Sequence, residues 1–237
     1  MDKLNYFYLP NSVFDYGLSA NEIGVLAVLY ATARNNVVQI SQKTIAEKLG
    51  IKKEETISRC IRKLCGCGFI LAQKRPVKGI YRLGVTVYYL SHKNASEGYF
   101  KVNRDVVLRR ILKPSHLRVY LFICKAISSK TDSMWNSYND MATALKSTRS
   151  AVIKIIADLV SLRLIRKMMV KNKLGAYSDN HYSLRALRTV KIRRNKATIT
   201  YYSAFQLHDT EVMVKSQGFK WVNLGKYEYF INTWGST

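Results

Sequence analysis

Acidic side chains are few: 15 Asp and Glu stand against 39 Lys and Arg in 237 residues, a formal net charge of +24. The acids are dispersed among cations, which argues against the converging carboxylates of a metal-dependent nuclease. Histidine is scarcer still. His92, His116, His181 and His208 stand apart in the sequence, so no paired-histidine nicking centre is legible. Long apolar runs are also missing. The longest, inside "EIGVLAVLYATAR", falls short of the ~18 residues that cross a bilayer, and "MDKLNYFYLP" has no basic segment followed by an apolar stretch. The expectation is a cytoplasmic protein without a membrane partner. "GIYRLGV" has the gap of a phosphate loop, but Val85 stands where that loop needs lysine. Tyrosine is abundant, with 16 copies, yet none has an evident activating neighbour. A non-enzyme with no cofactor and no metal is expected.

Cysteine is limited to Cys60, Cys65, Cys67 and Cys124, three of them crowded into "RCIRKLCGCGFI". The clustering suits a reducing compartment better than a disulfide framework. Two cysteines one residue apart at a helix end, with no histidine nearby, are poor zinc ligands. On a helical wheel for residues 54–67, Ile57, Cys60, Ile61, Leu64 and Cys67 share one side, while Glu55, Ser58, Arg59, Arg62 and Lys63 share the other. Cys60 and Cys67 read as small core residues, and Gly66 and Gly68 as helix terminators.

What the chain has in quantity is positive charge, and it has it everywhere. Residues 1–90 hold 13 cations and 6 acids, residues 91–184 hold 17 and 6, and residues 185–237 hold 9 and 3. A basic tail on a neutral body is excluded; a surface following a long polyanion is favoured.

The chain also repeats itself. "YFYLPNSVF" from Tyr6 resembles "YFKVNRDVV" from Tyr99, and apolar helical patterns follow at Leu18 to Ala33 and Leu112 to Ile127. "TIAEKLGIKKEETISRCIRKLCGCGFI" aligns with "NDMATALKSTRSAVIKIIADLVSLRLI" at a shift near 95, with one residue allowed in the bend. In the first copy, Ser19 with Glu22 is a capping box opening a helix that carries Ile23, Leu26, Leu29 and Tyr30. "VVQIS" is a short strand ending at a second cap, Ser41. Gln42 to Leu49 is a two-turn helix stopped by Gly50, and a third helix runs from about Glu54 to Cys67. Alternation over Phe69 to Arg75 and Ile80 to Leu90, around "KRPVKG", predicts a β-hairpin.

Helix, short strand, helix, tight turn, helix and hairpin is an order that resembles the winged helix-turn-helix family. Ala46 stands at the small packing position, Gly50 at the turn, and Leu64, Gly68, Phe69 and Ile70 at the entry to the wing. The second copy departs from it by lacking the turn glycine. The fold class implied is α+β, mainly helical, with two tandem winged helix-turn-helix domains. These span residues 1–90 and 99–187, with a linker at 91–98 and a basic, aromatic-rich C-terminal extension at 188–237 whose fold is not readable.

The resemblance makes the third helix of each copy a DNA-reading element. In the first, Lys52, Lys53 and Thr56 stand at the helix start as phosphate anchors, with Ser58, Arg59, Arg62 and Lys63 along the groove face. In the second, Ser147, Thr148, Arg149, Ser150 and Lys154 are the equivalents; that face, with Ile153 and Ala157, reads DNA or else contacts a protein. The wing cations are Lys74, Arg75 and Lys78, and Lys167, Lys171 and Lys173. In architecture the chain resembles plasmid- or phage-type replication initiators, which implies sequence-specific double-stranded DNA as partner. Host replication or transcription proteins and a homodimer are further candidates. A winged-helix transcription regulator and an assembly protein that binds nucleic acid unselectively are the competing readings.

Overall fold

The computed structural model describes residues 6–76, 83–91, 98–109, 112–127, 133–171, 177–184, 191–194, 197–200, 219–224 and 227–232. The first repeat runs β1 (Tyr6–Pro10), a 3-10 turn (Asn11–Phe14), α1 (Ala20–Thr32), β2 (Val37–Gln39), α2 (Gln42–Leu49), α3 (Glu54–Gly66), β3 (Ile70–Pro76) and β4 (Leu83–Leu90). The second runs β5 (Tyr99–Asn103), α4 (Arg104–Leu108), α5 (Pro114–Ala126), β6 (Met134–Trp135), α6 (Tyr138–Ala144), α7 (Arg149–Ser161), β7 (Ile165–Lys171) and β8 (Tyr177–Leu184).

The chain packs as two compact units. One comprises the described residues of Asn5–Ile127 and Tyr138–Ile155; the other comprises those of Ser128–Ser137 and Ile156–Thr237.

In the first unit α1 is the hub. Its capping box forms as the sequence predicts: Ser19 Oγ accepts the Glu22 amide at 3.4 Å, and Glu22 Oε2 accepts the Ser19 amide at 2.7 Å. From Ile23 to Ala31 every residue is buried. A helix apolar on all sides must be covered on all sides, and α2, α3, α4, α5, β1, β2 and β4 supply that cover. Each Leu or Val so buried contributes about 1.5–3 kcal/mol. Gly24 allows α2 to come close, because a Cβ there would lie 3.1 Å from Leu49 Cδ2. α5 begins with Pro114, whose missing N–H costs nothing in a first turn, and buries Leu117, Tyr120, Leu121 and Ile123.

β1 and β5, the lead strands of the two repeats, pair antiparallel from Tyr6↔Asn103 to Pro10↔Tyr99. Alternation sends Phe7, Leu9, Phe100 and Val102 into the core and leaves Tyr8, Tyr99 and Lys101 outside. The hairpin strands β3 and β4 join β2 in a sheet of order β2-β4-β3, and in the second unit β6, β7 and β8 form one of order β6-β8-β7.

The fold is mixed α+β, with seven helices and twelve strands among the described residues. Four of those strands lie in the C-terminal extension. β9 (Lys191–Arg194) pairs with β10 (Ala197–Thr200), and β11 (Phe219–Leu224) with β12 (Tyr227–Asn232), both antiparallel. "FKWVNLGKYEYFIN" carries the signal that could have found the second pair, an alternating aromatic pattern broken by Gly225-Lys226.

Candidate nucleic-acid interface

The candidate site of the first repeat is built from α2, the bend and α3. Ser41 Oγ accepts the Thr44 amide at 3.0 Å and so starts α2. α2 ends at Gly50, whose φ of +66° is left-handed backbone that a side chain disfavours. The Ile51 amide then closes back on Ala46 O at 2.9 Å. This bend reverses the chain so that α3 can lie across α2 and α1.

On α3 the two faces separate as the wheel predicts. Ile57, Cys60, Ile61 and Leu64 are buried; Glu55, Arg59, Arg62 and Lys63 are exposed. Arg59 and Arg62 lie one turn apart on the open side, where guanidinium groups can reach a groove. Lys52 and Lys53 are exposed in the bend and Thr56 is half-buried. Two carboxylates, Glu54 and Glu55, occupy the first turn of α3. They favour the helix dipole but oppose phosphate at that end, so the anchoring expected of Lys52 and Lys53 works against neighbours of opposite sign.

Ser58 does something the wheel could not show. Half-buried, its hydroxyl donates to Gln42 Oε1 at the start of α2. It therefore ties the two helices together, and Gln42 in turn approaches the buried Tyr88 phenol, whose pKa is raised by burial while Thr86 and Gln42 oppose the shift.

In the second repeat Lys146 takes the place of the turn glycine with φ +45°, and the Ser147 amide closes on Ala142 O at 2.8 Å. The bend is thus made without glycine, at the cost of a non-glycine residue in left-handed backbone. Ser147, Thr148, Arg149, Ser150 and Lys154 are all exposed. Thr148 Oγ1 accepts the Ala151 amide at 3.3 Å, so its hydroxyl serves the helix start. Arg149 lies 5.9 Å from the Tyr138 ring centroid. No acid occupies the first turn of α7, the reverse of α3.

The wing residues divide. Lys74 is exposed on β3. Lys167 is half-buried on β7 and pairs with the buried Tyr182, so it sits on the inner-face register of its sheet rather than at a hairpin tip. The period of two along a strand decides this, and a count of cations does not see it. Arg75 and Lys171 belong to β3 and β7, their side chains outside the described residues; Lys78 and Lys173 lie outside altogether.

The four cysteines are free thiols. Burial pushes Cys60 up to about 11 from an ordinary 9.0, with Glu22 adding to the shift, and Cys124 up to about 12. These two side chains are protonated small core residues at neutral pH. Cys67, expected in the core, is half-buried because α3 ends one residue before it. Among the described residues no group of three His, Cys, Asp or Glu is placed to hold a metal, and no helix is long and apolar enough to cross a membrane.

The raised thiols have a pH signature. Between pH 9 and about 11–12 the unfolded chain releases protons that the folded chain retains at Cys60 and Cys124. Folding stability therefore falls as pH rises through this window. Thermal unfolding followed by circular dichroism at pH 8 and pH 10 should give the lower midpoint at pH 10. An unchanged midpoint would mean that these thiols are not desolvated.

No curated protein matches the chain. Residues 16–70, from just before α1 to the first residue of β3, match the family model of the helix-turn-helix domain, and this similarity over the stretch holding α2, the bend and α3 supports DNA binding by the chain.

Proposed function

We propose that the chain is a sequence-specific double-stranded DNA-binding protein built from two tandem winged helix-turn-helix domains, acting as a replication initiator of the plasmid or phage type. The domains are read as residues 1–90 and 99–187, joined by 91–98 and followed by the extension 188–237. The observation that carries DNA reading is the exposed Arg59–Arg62 face of α3 inside a helix-turn-helix match. The duplicated architecture is supported by a matching element order, in which the 3-10 turn of the first copy stands where the second has α4, and by the ends of the third helices. Cys67, Gly68 and Phe69 amides bond to Lys63, Cys65 and Leu64 carbonyls; Leu162, Arg163 and Leu164 amides bond to Asp158, Val160 and Leu159, the same pattern 95 residues on.

The protein works by binding and not by catalysis. Initiation is favoured over transcription control by the resemblance in architecture alone. Host replication proteins, and a homodimer, are the further partners this reading allows.

Two experiments separate the readings. The protein is first allowed to select duplexes from a random pool, and its affinity for the selected and a scrambled duplex is followed against salt. Sequence-specific binding predicts a preference of about 10³-fold or more at physiological salt. A steep salt slope with no preference would identify an unselective, phosphate-only binder. The gene with its flanking DNA is then placed on a replicon that lacks an initiator. Maintenance of that replicon supports initiation; repression of a promoter reporter without maintenance supports a regulator.

A further inference from the structure

We infer that the outer face of the β6-β8-β7 sheet is a binding site for single-stranded nucleic acid, with a base stacked on Trp135 and a nearby phosphate held by Arg166. The site is separate from the exposed faces of α3 and α7 and does not depend on their reading a duplex.

Strand register builds this face. Trp135 pairs with His181 across β6 and β8, and His181 pairs with Met168 across β8 and β7, so the three side chains form one row on one side of the sheet. Arg166, two residues along β7 from Met168, stands on the same side beside that row. The opposite side is the core side, where Met134, Tyr182 and Ile165 are buried. On the outer side Trp135 is 55% exposed, Met168 39%, and Arg166 is exposed as well. Tryptophan is on average among the well-buried residues, so a ring standing this far into water at the centre of such a row is uncommon.

That ring is held in a set orientation. Trp135 Nε1–H donates to His181 Nδ1, and the two rings meet at 70° with centroids 5.2 Å apart. An indole N–H lies in the plane of its ring, so His181 meets Trp135 at the edge and leaves its flat faces uncovered. The one polar atom of the indole is thereby satisfied within the protein, and what the residue offers a ligand is π surface. Such a surface rewards stacking, and every base has a face to stack. Arg166 adds a cation at a distance on the order of 10 Å across the sheet, within reach of a phosphate of the same strand.

The winged sheet forms without these residues. In the first repeat Val38↔Tyr88 is the buried pair that matches Met134↔Tyr182, and the row beside it is Gln39, Val87 and Gln73, with Leu71 at the position of Arg166. Tryptophan and arginine on this face therefore belong to the second sheet alone. Size and charge select the occupant. A stable protein interface covers about 800 Å² on each side, for which one tryptophan and one methionine make a small apolar centre, whereas one ring matches one base. Residues 91–184 hold 17 cations against 6 acids, which favours a polyanion. A duplex keeps its base faces inside its own stack, so the strand must be single. DNA and RNA share this chemistry.

The whole chain is titrated with oligothymidylate and with oligouridylate, each of about 15 nucleotides, and binding is followed by fluorescence anisotropy with indole emission recorded in parallel. Trp135→Ala should weaken single-strand binding roughly 5- to 100-fold, and Trp135→Phe should recover most of that loss. Arg166→Ala should weaken binding and lower the salt slope by about 0.7. Quenching of indole emission by the strand should be largely lost in Trp135→Phe, which separates Trp135 from Trp221 and Trp234. If Trp135→Ala does not fold by circular dichroism, Trp135→Phe and its emission decide. Binding of either oligonucleotide with these losses supports the site and, where only one binds, names its sugar. Equal affinity of the native protein and Trp135→Ala for both strands would overturn it, as would Trp135 emission that answers to oligoglutamate and to neither oligonucleotide. Failure of the native protein to select any duplex would overturn the duplex reading and leave these outcomes unchanged.

Discussion

Leu64→Ala is expected to lower the free energy of unfolding by about 2–5 kcal/mol. Leu64 is wholly buried on the inner face of α3, and its carbonyl accepts the Phe69 amide at 3.0 Å where the chain leaves the helix for the wing. Truncation removes apolar surface and leaves a cavity between α3 and α1, whose neighbouring residues Ile23 to Ala31 are already packed on every side and have little freedom to collapse into it. The measurement is a urea titration read by circular dichroism, in which the midpoint falls while the slope is unchanged. A loss below about 1 kcal/mol would show that the space is refilled by relaxation, and with it that α3 is not rigidly seated. DNA affinity, measured where the variant remains folded, should change far less than stability, because the exposed face is untouched.

Arg59→Ala and Arg62→Ala carry the second large effect, this time on binding. Both side chains are exposed on the face opposite Ile57, Cys60, Ile61 and Leu64, and a bidentate contact from arginine to guanine is worth about 1–3 kcal/mol of discrimination. Each variant should weaken binding to the selected duplex by that amount and relax preference at one base position. Lys63→Ala should behave differently: binding falls on all sequences alike, and the salt slope drops by about one. The readout is affinity for the selected duplex and for single-base variants of it, at several salt concentrations. Equal losses on every sequence for Arg59→Ala and Arg62→Ala would make them phosphate clamps and remove base reading from α3.

The parts of this site that were legible in the sequence are those governed by near neighbours. Ser19 and Glu22, three residues apart, form the capping box that their spacing predicts, and Ser41 caps α2 as its place before that helix predicts. The buried and exposed sides of α3 follow from helical period alone. Ser58 escaped the same reading because its partner, Gln42, is 16 residues away across the bend; a wheel reports which way a residue points and not what meets it. Gly24 escaped too, since its missing side chain matters only to Leu49 of another helix. Lys167 was counted with the wing-tip cations because its charge was visible and its strand register was not.

Positive charge spread along the whole chain, a twice-told order of elements, and the inward side of α3 were all written in the linear order of residues, because composition and periodicity act over a turn or two of chain. The pairing of β1 with β5, the meeting of α1 with α5, and the strands of the C-terminal extension were not. Those contacts join residues some 93 positions apart or strands without a strong local signature, and an apolar face specifies that it must be covered without specifying by what. The folded chain answers that by laying β1 on β5 and α1 on α5.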